Sequence, residues 1–340
     1  ADLLSDNSNL ITGVYNIASL CSDGKNEKNA FRKIIIKELP LRRRAIYISC
    51  ASTSQTSVYK LDSTNSLSYA FGLSGDFIGS AIDSKSNRLI SCGAYTGKLK
   101  ATKLTDFTEA WGENPVGVTY PCYRNLSSSN GLFIVSYSNG NIKGFDYSGA
   151  QKYSAFASQG VYYPIKSALS TNYLLCEQAT FLAGTKKLVL YTYPAGSGKQ
   201  EMNFSGDVVD LFAKDANDFF VFYNQGSTGK ISLYSSAGNG FSYYYPYPIS
   251  GKINSVVAIN SSVYLVATND GIFQYTYETQ NFTLFKAGIV AHKLSYDASS
   301  NEVLACEGKT LHFYELNTAM QVNTCTTNDS IVDFQLQYNR

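Results

Sequence analysis

Short apolar runs alternate along the chain with clusters of Asp, Asn, Ser and Gly. Ala45-Ile-Tyr-Ile-Ser-Cys50, Arg88-Leu-Ile-Ser-Cys92, Asn172-Tyr-Leu-Leu-Cys176 and Glu302-Val-Leu-Ala-Cys306 are four such runs. Each is too short for a helix and reads as a strand. Polar turns precede several of them: Asp83 to Asn87, Asp215 to Asn217 and Asp297 to Asn301. Asp, Asn and Ser bond their own backbone and tolerate the left-handed region, so these turns close hairpins. Gly-bearing turns follow: Thr96-Gly97, Asn139-Gly140, Asn269-Asp-Gly271 and Glu307-Gly308. Asn-Gly and Asp-Gly are strong hairpin signals. Beyond them, residues 271–277 and 310–316 alternate apolar and polar, which predicts strands with one buried face. Long stretches of helical period are absent.

The same unit recurs over residues 77–113, 207–248, 253–288 and 289–325. First strands are predicted to begin near residues 33, 79, 118, 164, 209, 254, 290 and 332. A meander of four strands every ~40–45 residues is the repeat of a β-propeller blade. The expected fold is therefore all-β, one domain over residues 1–340, with eight blades of four antiparallel strands. Seven is the alternative, if the first 30 residues form a cap. The two ends are expected to share the last blade, residues 1–30 with 327–340. Such closure removes an exposed sheet edge.

Asn87-Arg-Leu-Ile-Ser91, Gly131-Leu-Phe-Ile-Val135 and Ser262-Val-Tyr-Leu-Val-Ala-Thr-Asn269 carry a family likeness. These turn-plus-strand units resemble the β-propeller superfamily, in particular its YVTN-like and quinoprotein-like groups. The resemblance runs over nearly the whole chain. The WD40 subgroup would need recurrent Gly-His and Trp-Asp pairs, and the chain has one Trp and two His. Quinoprotein blades carry recurrent Trp docking motifs. These too are missing, so quinone binding is not carried over and no cofactor is expected.

Composition narrows the function classes. Net charge is only +2, so a nucleic-acid partner is not expected. The 44% hydrophobic content argues against disorder. No apolar run approaches the ~18 residues of a membrane-spanning helix. Cysteines stand at 21, 50, 92, 122, 176, 306 and 325 without a Cys-x-x-Cys pair or a His at ligand spacing, so no metal is expected. Cys50, Cys92, Cys176 and Cys306 end similar runs and predict a repeated small buried position. Richness in Tyr, Ser, Asn and Gly, with sequons at Asn125, Asn203, Asn260, Asn281 and Asn328, suggests a secreted, periplasmic or surface-anchored protein.

Candidate chemistry is sparse. His292 lies in a first strand and His312 in a third, and both read as packing residues. Neither a Gly-x-Ser-x-Gly elbow nor a dinucleotide fingerprint is present. Asp207, Asp210 and Asp333 fall in or at the start of first strands, where they could approach a central channel. Arg42, Arg43 and Arg44, with Arg32, Lys33 and Lys37, read as a solvated basic turn on the opposite face. The distinctive feature is aromatic: Trp111, Tyr120, Tyr123, Tyr162, Tyr163, Tyr244, Tyr245 and Tyr247 cluster near connections from a fourth strand to the next first strand. Tyr and Trp give rigid amphipathic surfaces suited to proteins or glycans. The expected function is a monomeric, non-enzymatic binding or scaffold propeller that recognises a protein or glycan through its loop face. The alternative is a propeller hydrolase or lactonase with a site in the central channel.

Overall fold

The computed structural model describes residues 13–22, 27–36, 41–51, 55–74, 77–93, 99–113, 123–129, 132–137, 141–146, 148–156, 162–180, 186–197, 199–236, 242–243, 247–249 and 251–339. Two compact units emerge, residues 1–42 and residues 43–339. In the first, Gly13–Ser22 pairs antiparallel with Glu27–Ile36.

The second unit is built from seven antiparallel sheets. Blades 1 to 6 cover residues 77–113, 123–156, 162–204, 207–249, 253–287 and 293–326. Blade 7 joins Ser330–Tyr338 to Arg43–Ala51, Gln55–Asp62 and Leu67–Ser74. Strand order follows chain order in blades 1 to 6, and in blade 7 after its C-terminal first strand, so each is a simple meander. The connections from strand four to the next strand one, and from strand two to strand three, therefore share one end of the ring. We call this the entry face.

Seven apolar clusters fill the seams between successive blades, and the seventh closes the circle. Second strands make most of each seam because both of their faces are covered. In Glu302–Glu307, Val303 and Ala305 pack toward blade 5 while Leu304 and Cys306 pack toward blade 7. A strand buried on both faces has no polar side to show. This is why these strands are continuous apolar runs rather than alternating ones. Cys50, Cys92, Cys176 and Cys306 are all free and buried in these seams, as the repeat predicts.

The turns behave as their side chains require. Asp83 accepts from the backbone N–H groups of Lys85 and Ser86 at 3.0 and 2.8 Å, and Asn87 takes φ 55°. Asp297 and Asn301 repeat the arrangement in blade 6. A second signal, unread in the sequence, marks the turns between strands three and four. Asp62, Asp106 and Asp146 each bond the N–H and hydroxyl of a Thr or Ser two residues on. These bonds hold all three carboxyls below the usual carboxylate range.

Three sequence expectations are corrected. The ring has seven blades and not eight. The apolar run around residue 33 looks like a first strand, but Phe31 to Ile36 pairs with Gly13 to Ala18. The C-terminal strand does close the ring, but it joins residues 43–74 and not residues 1–30. The basic turn is also not simply solvated. Arg43 Nη1 lies 2.8 Å from Asp297 Oδ2 and 3.0 Å from Glu302 Oε2, tying blade 7 to blade 6. The Asp297 side chain is fully buried. Removing its cation leaves a buried charge uncompensated, so Arg43→Met is expected to cost about 3 kcal/mol in urea unfolding. An unchanged midpoint would show that the pair contributes nothing.

Candidate functional site

First strands of consecutive blades lie against one another around the axis. Six of the seven carry a β-bulge near the entry face. A bulge adds one unpaired residue, bends the strand and re-aims the side chains around it. The first paired residue after the bulge is Gly79, Leu126, Lys166, Asp210, Ser255 and Asp333 in turn. Blade 6 enters its ladder at Lys293, with His292 N–H bonded to Cys306 O. One equivalent position per blade therefore carries Lys, Asp, Ser, Lys and Asp on blades 3 to 7.

These charges answer one another. Asp333 Oδ2 accepts from Ser80 N–H and Ser80 Oγ at 2.8 and 2.6 Å. Its Oδ1 accepts from Phe334 N–H at 2.9 Å and meets Lys293 Nζ. Gln335 Nε2 donates to Ser80 O at 2.7 Å and braces the same corner. Burial pulls the Lys293 ammonium down to about 8, and Lys166 reinforces this while Asp210 opposes it. Contact with the Asp333 carboxylate favours the charged form of the ammonium. Burial raises the Asp210 carboxyl, against the pull of Lys166 and Lys293.

Glu177 lies beside this group, across the ladder from Lys166. It is buried in the seam between blades 3 and 4. Its Oε1 accepts from Val208 N–H at 3.4 Å and lies 3.6 Å from Lys186 Nζ, while Oε2 has no partner. Lys186 turns instead toward the exposed Asp207. Desolvation therefore dominates and pushes the Glu177 carboxyl up to about 7. In the next seam, Asn224 performs the matching latch with both halves of its amide, bonding Ile253 N–H and O at 2.8 Å each. An ionised carboxylate has no donor to offer and leaves one oxygen orphaned.

The sequence candidates divide. Trp111 is half-buried and stacks on Phe133 at 5.7 Å, between blades 1 and 2. Tyr123, Tyr162 and Tyr163 stand at the entry-face ends of first strands, and Tyr247 lies in a strand paired to Thr228–Ser235. Tyr120, Tyr244 and Tyr245 lie outside the described residues. His292 is exposed, with Nε2 2.9 Å from Ile331 O, while His312 stacks on Tyr314. The hydrolase alternative asks for convergent acids. Asp207 faces solvent and pairs with Lys186, and Asp333 meets Lys293. Among the described residues no three His, Cys, Asp or Glu side chains group as metal ligands, and no helix is long and apolar enough to cross a membrane.

No family model matches the chain, and no curated protein does. Solved structures do. A functionally unknown protein from Desulfotomaculum acetoxidans matches with TM-score 0.63 at 13% identity, over 86% of this chain and 99% of that one. Apo AztD from Citrobacter koseri matches with TM-score 0.57 at 10% identity, over 86% and 98%. The β-propeller domain of Myceliophthora Cps50 (Swd1) matches with TM-score 0.57 at 12% identity, over 76% and 88%. The fold is a seven-bladed β-propeller. At such identities the likeness speaks for the propeller scaffold and leaves its chemistry to the residues of this chain. Lys166 and Lys293 are the propeller residues that sequence reading passed over. Lys166 follows its bulge at the offset that gives Asp210 and Asp333, while Lys293 opens a ladder without a bulge.

Proposed function

We propose that this propeller is a non-enzymatic binding module that docks a protein or glycan partner on its entry face. One observation carries the reading. Val290, His292 and Val332 are exposed on adjacent blades, the two valines at 45% and 42% of their full surface. The bond from His292 to Ile331 O ties their two segments together. Apolar surface beside polar, hydrogen-bonding groups is the make-up of a contact patch. Trp111, Tyr123, Tyr162 and Tyr163 belong to chain segments at the same end of the ring. A Tyr- and Ser-rich composition supports a secreted, periplasmic or surface-anchored setting, which cell fractionation tests.

The docking experiment compares the full chain with a Val290→Glu/Val332→Glu variant on a glycan array and in a crosslinking screen. At least a tenfold loss of captured partner is expected, because two charges would be buried against an apolar contact. Coinciding profiles would sink docking on this face.

A further inference from the structure

A notch of about 250 Å³ opens between blades 3 and 4. It lies between the outer strand Lys199–Phe204 of blade 3 and the paired strands Asp218–Gln225 and Thr228–Ser235 of blade 4. Ser205 and Gln225, at the entry-face ends of these strands, place it on that face. Its floor is aromatic. Phe204 meets Tyr223 edge to face at 4.9 Å, Tyr234 lines the same notch, and both tyrosines are buried. The backbone passes tightly over these rings. A Cβ on Gly206 would overlap Tyr223 Cδ2, so glycine is required there. The rim is polar, and its hydrogen bonds run one way. Lys230 Nζ donates to Gln225 Oε1, and Gln225 Nε2 donates to Ser205 Oγ at 3.3 Å. The ammonium, the amide and the hydroxyl each keep at least one further proton to donate. No acceptor among the described residues takes those protons.

From this juxtaposition we infer that the notch is a subsite for a single sugar ring. Three neighbouring donors beside an aromatic floor suit a ligand with oxygen acceptors on one side and an apolar C–H face on the other. A sugar ring has both. Its C–H face rests on Phe204 and Tyr223, and its oxygens accept from Ser205, Gln225 and Lys230. The volume is below the ~300–1,000 Å³ of sites for drug-sized ligands, which limits the notch to one ring. An apolar side chain of a protein partner would cover the floor but leave the three donors without acceptors, which costs affinity. The subsite shares the entry face with the proposed docking patch but does not rest on it. A free sugar would occupy the notch without any docked partner.

The test adds methyl galactoside, N-acetylglucosamine and glucuronate, each alone, to the full chain and follows them by saturation-transfer NMR. Saturable binding of at least one sugar is expected, with transfer strongest at the protons of one ring face. Gln225→Ala should weaken it about fivefold through the lost donor. Phe204→Ala should weaken it by a similar factor through the lost ring, and Phe204→Tyr should retain it. Lys85→Met, in an exposed turn at the other end of the ring, should leave it unchanged. Circular dichroism shows that each variant is folded. A wild-type chain that takes up none of these sugars overturns the subsite, and so does a folded Gln225→Ala chain that binds as tightly as wild type. Binding of p-cresol, which mimics a tyrosine side chain, without binding of any sugar shows a protein contact instead and also overturns it. If sugars bind but the Val290→Glu/Val332→Glu variant captures partner normally, docking on that patch fails and the subsite stands. If that variant loses its partner and no sugar binds, docking stands and the subsite falls.

Discussion

Truncation after Asp329 is expected to abolish cooperative folding of the ring. The strand removed, Ser330–Tyr338, is the inner strand of blade 7 and runs antiparallel to Arg43–Ala51. It carries Ile331 and Phe334 into the seam between blades 6 and 7. It also brings Asp333, which engages Ser80 of blade 1 and Lys293 of blade 6. One deletion thus opens a seam, strips a sheet of its inner strand and leaves Lys293 without its counter-ion. The combined loss exceeds the ~5–15 kcal/mol that holds a typical domain together. The single change Phe334→Ala, which only hollows the seam, should cost about 3–5 kcal/mol. Urea unfolding followed by tyrosine fluorescence measures both. A truncated chain with an unchanged midpoint would mean that the ring does not depend on its closing strand.

Stability should also fall as pH rises from acid to neutral, and Glu177 should be the main cause. Its carboxyl moves from 4.5 to about 7 in the folded chain because burial disfavours the charged form. A raised acid binds its proton more tightly when folded, so the stabilisation is complete below about 4.5. It is lost as pH climbs toward about 7 and does not return above that. The full swing is on the order of 3 kcal/mol. Glu177→Gln supplies an amide donor of the kind that Asn224 uses, so the variant should show a shallower slope over this window, the raised Asp210 carboxyl keeping a part of it, and be more stable than wild type at pH 8. Identical pH profiles for the two chains would show that the orphaned oxygen has no cost.

The parts legible in sequence are those decided within one blade. Runs such as Leu89 to Cys92 and Val303 to Cys306 announce second strands because seams cover both of their faces. Turns are legible because Asp83 and Asp297 bond their own backbone. Blade number is not local. Phe31 to Ile36 has the apolar pattern of a first strand, and only its pairing with Gly13 to Ala18 removes it from the count. Arg43 was misread for the same reason, since Asp297 and Glu302 lie more than 250 positions away in the chain. The channel was half legible. Asp210 and Asp333 stood out as charges in apolar strands, while Lys166 and Lys293 drew no notice.

The bulges separate two jobs that most strands must do at once. The side chains that hold the blades together come largely from the second strands, whereas the residue after each bulge faces its counterparts on other blades. Gly79, Ser255, Lys166, Asp210 and Asp333, together with Lys293 at the start of a ladder without a bulge, form a set of addresses on one rim. Gly79 and Lys166 belong to none of the seam clusters, so substitutions there vary the rim one blade at a time while the architecture stays.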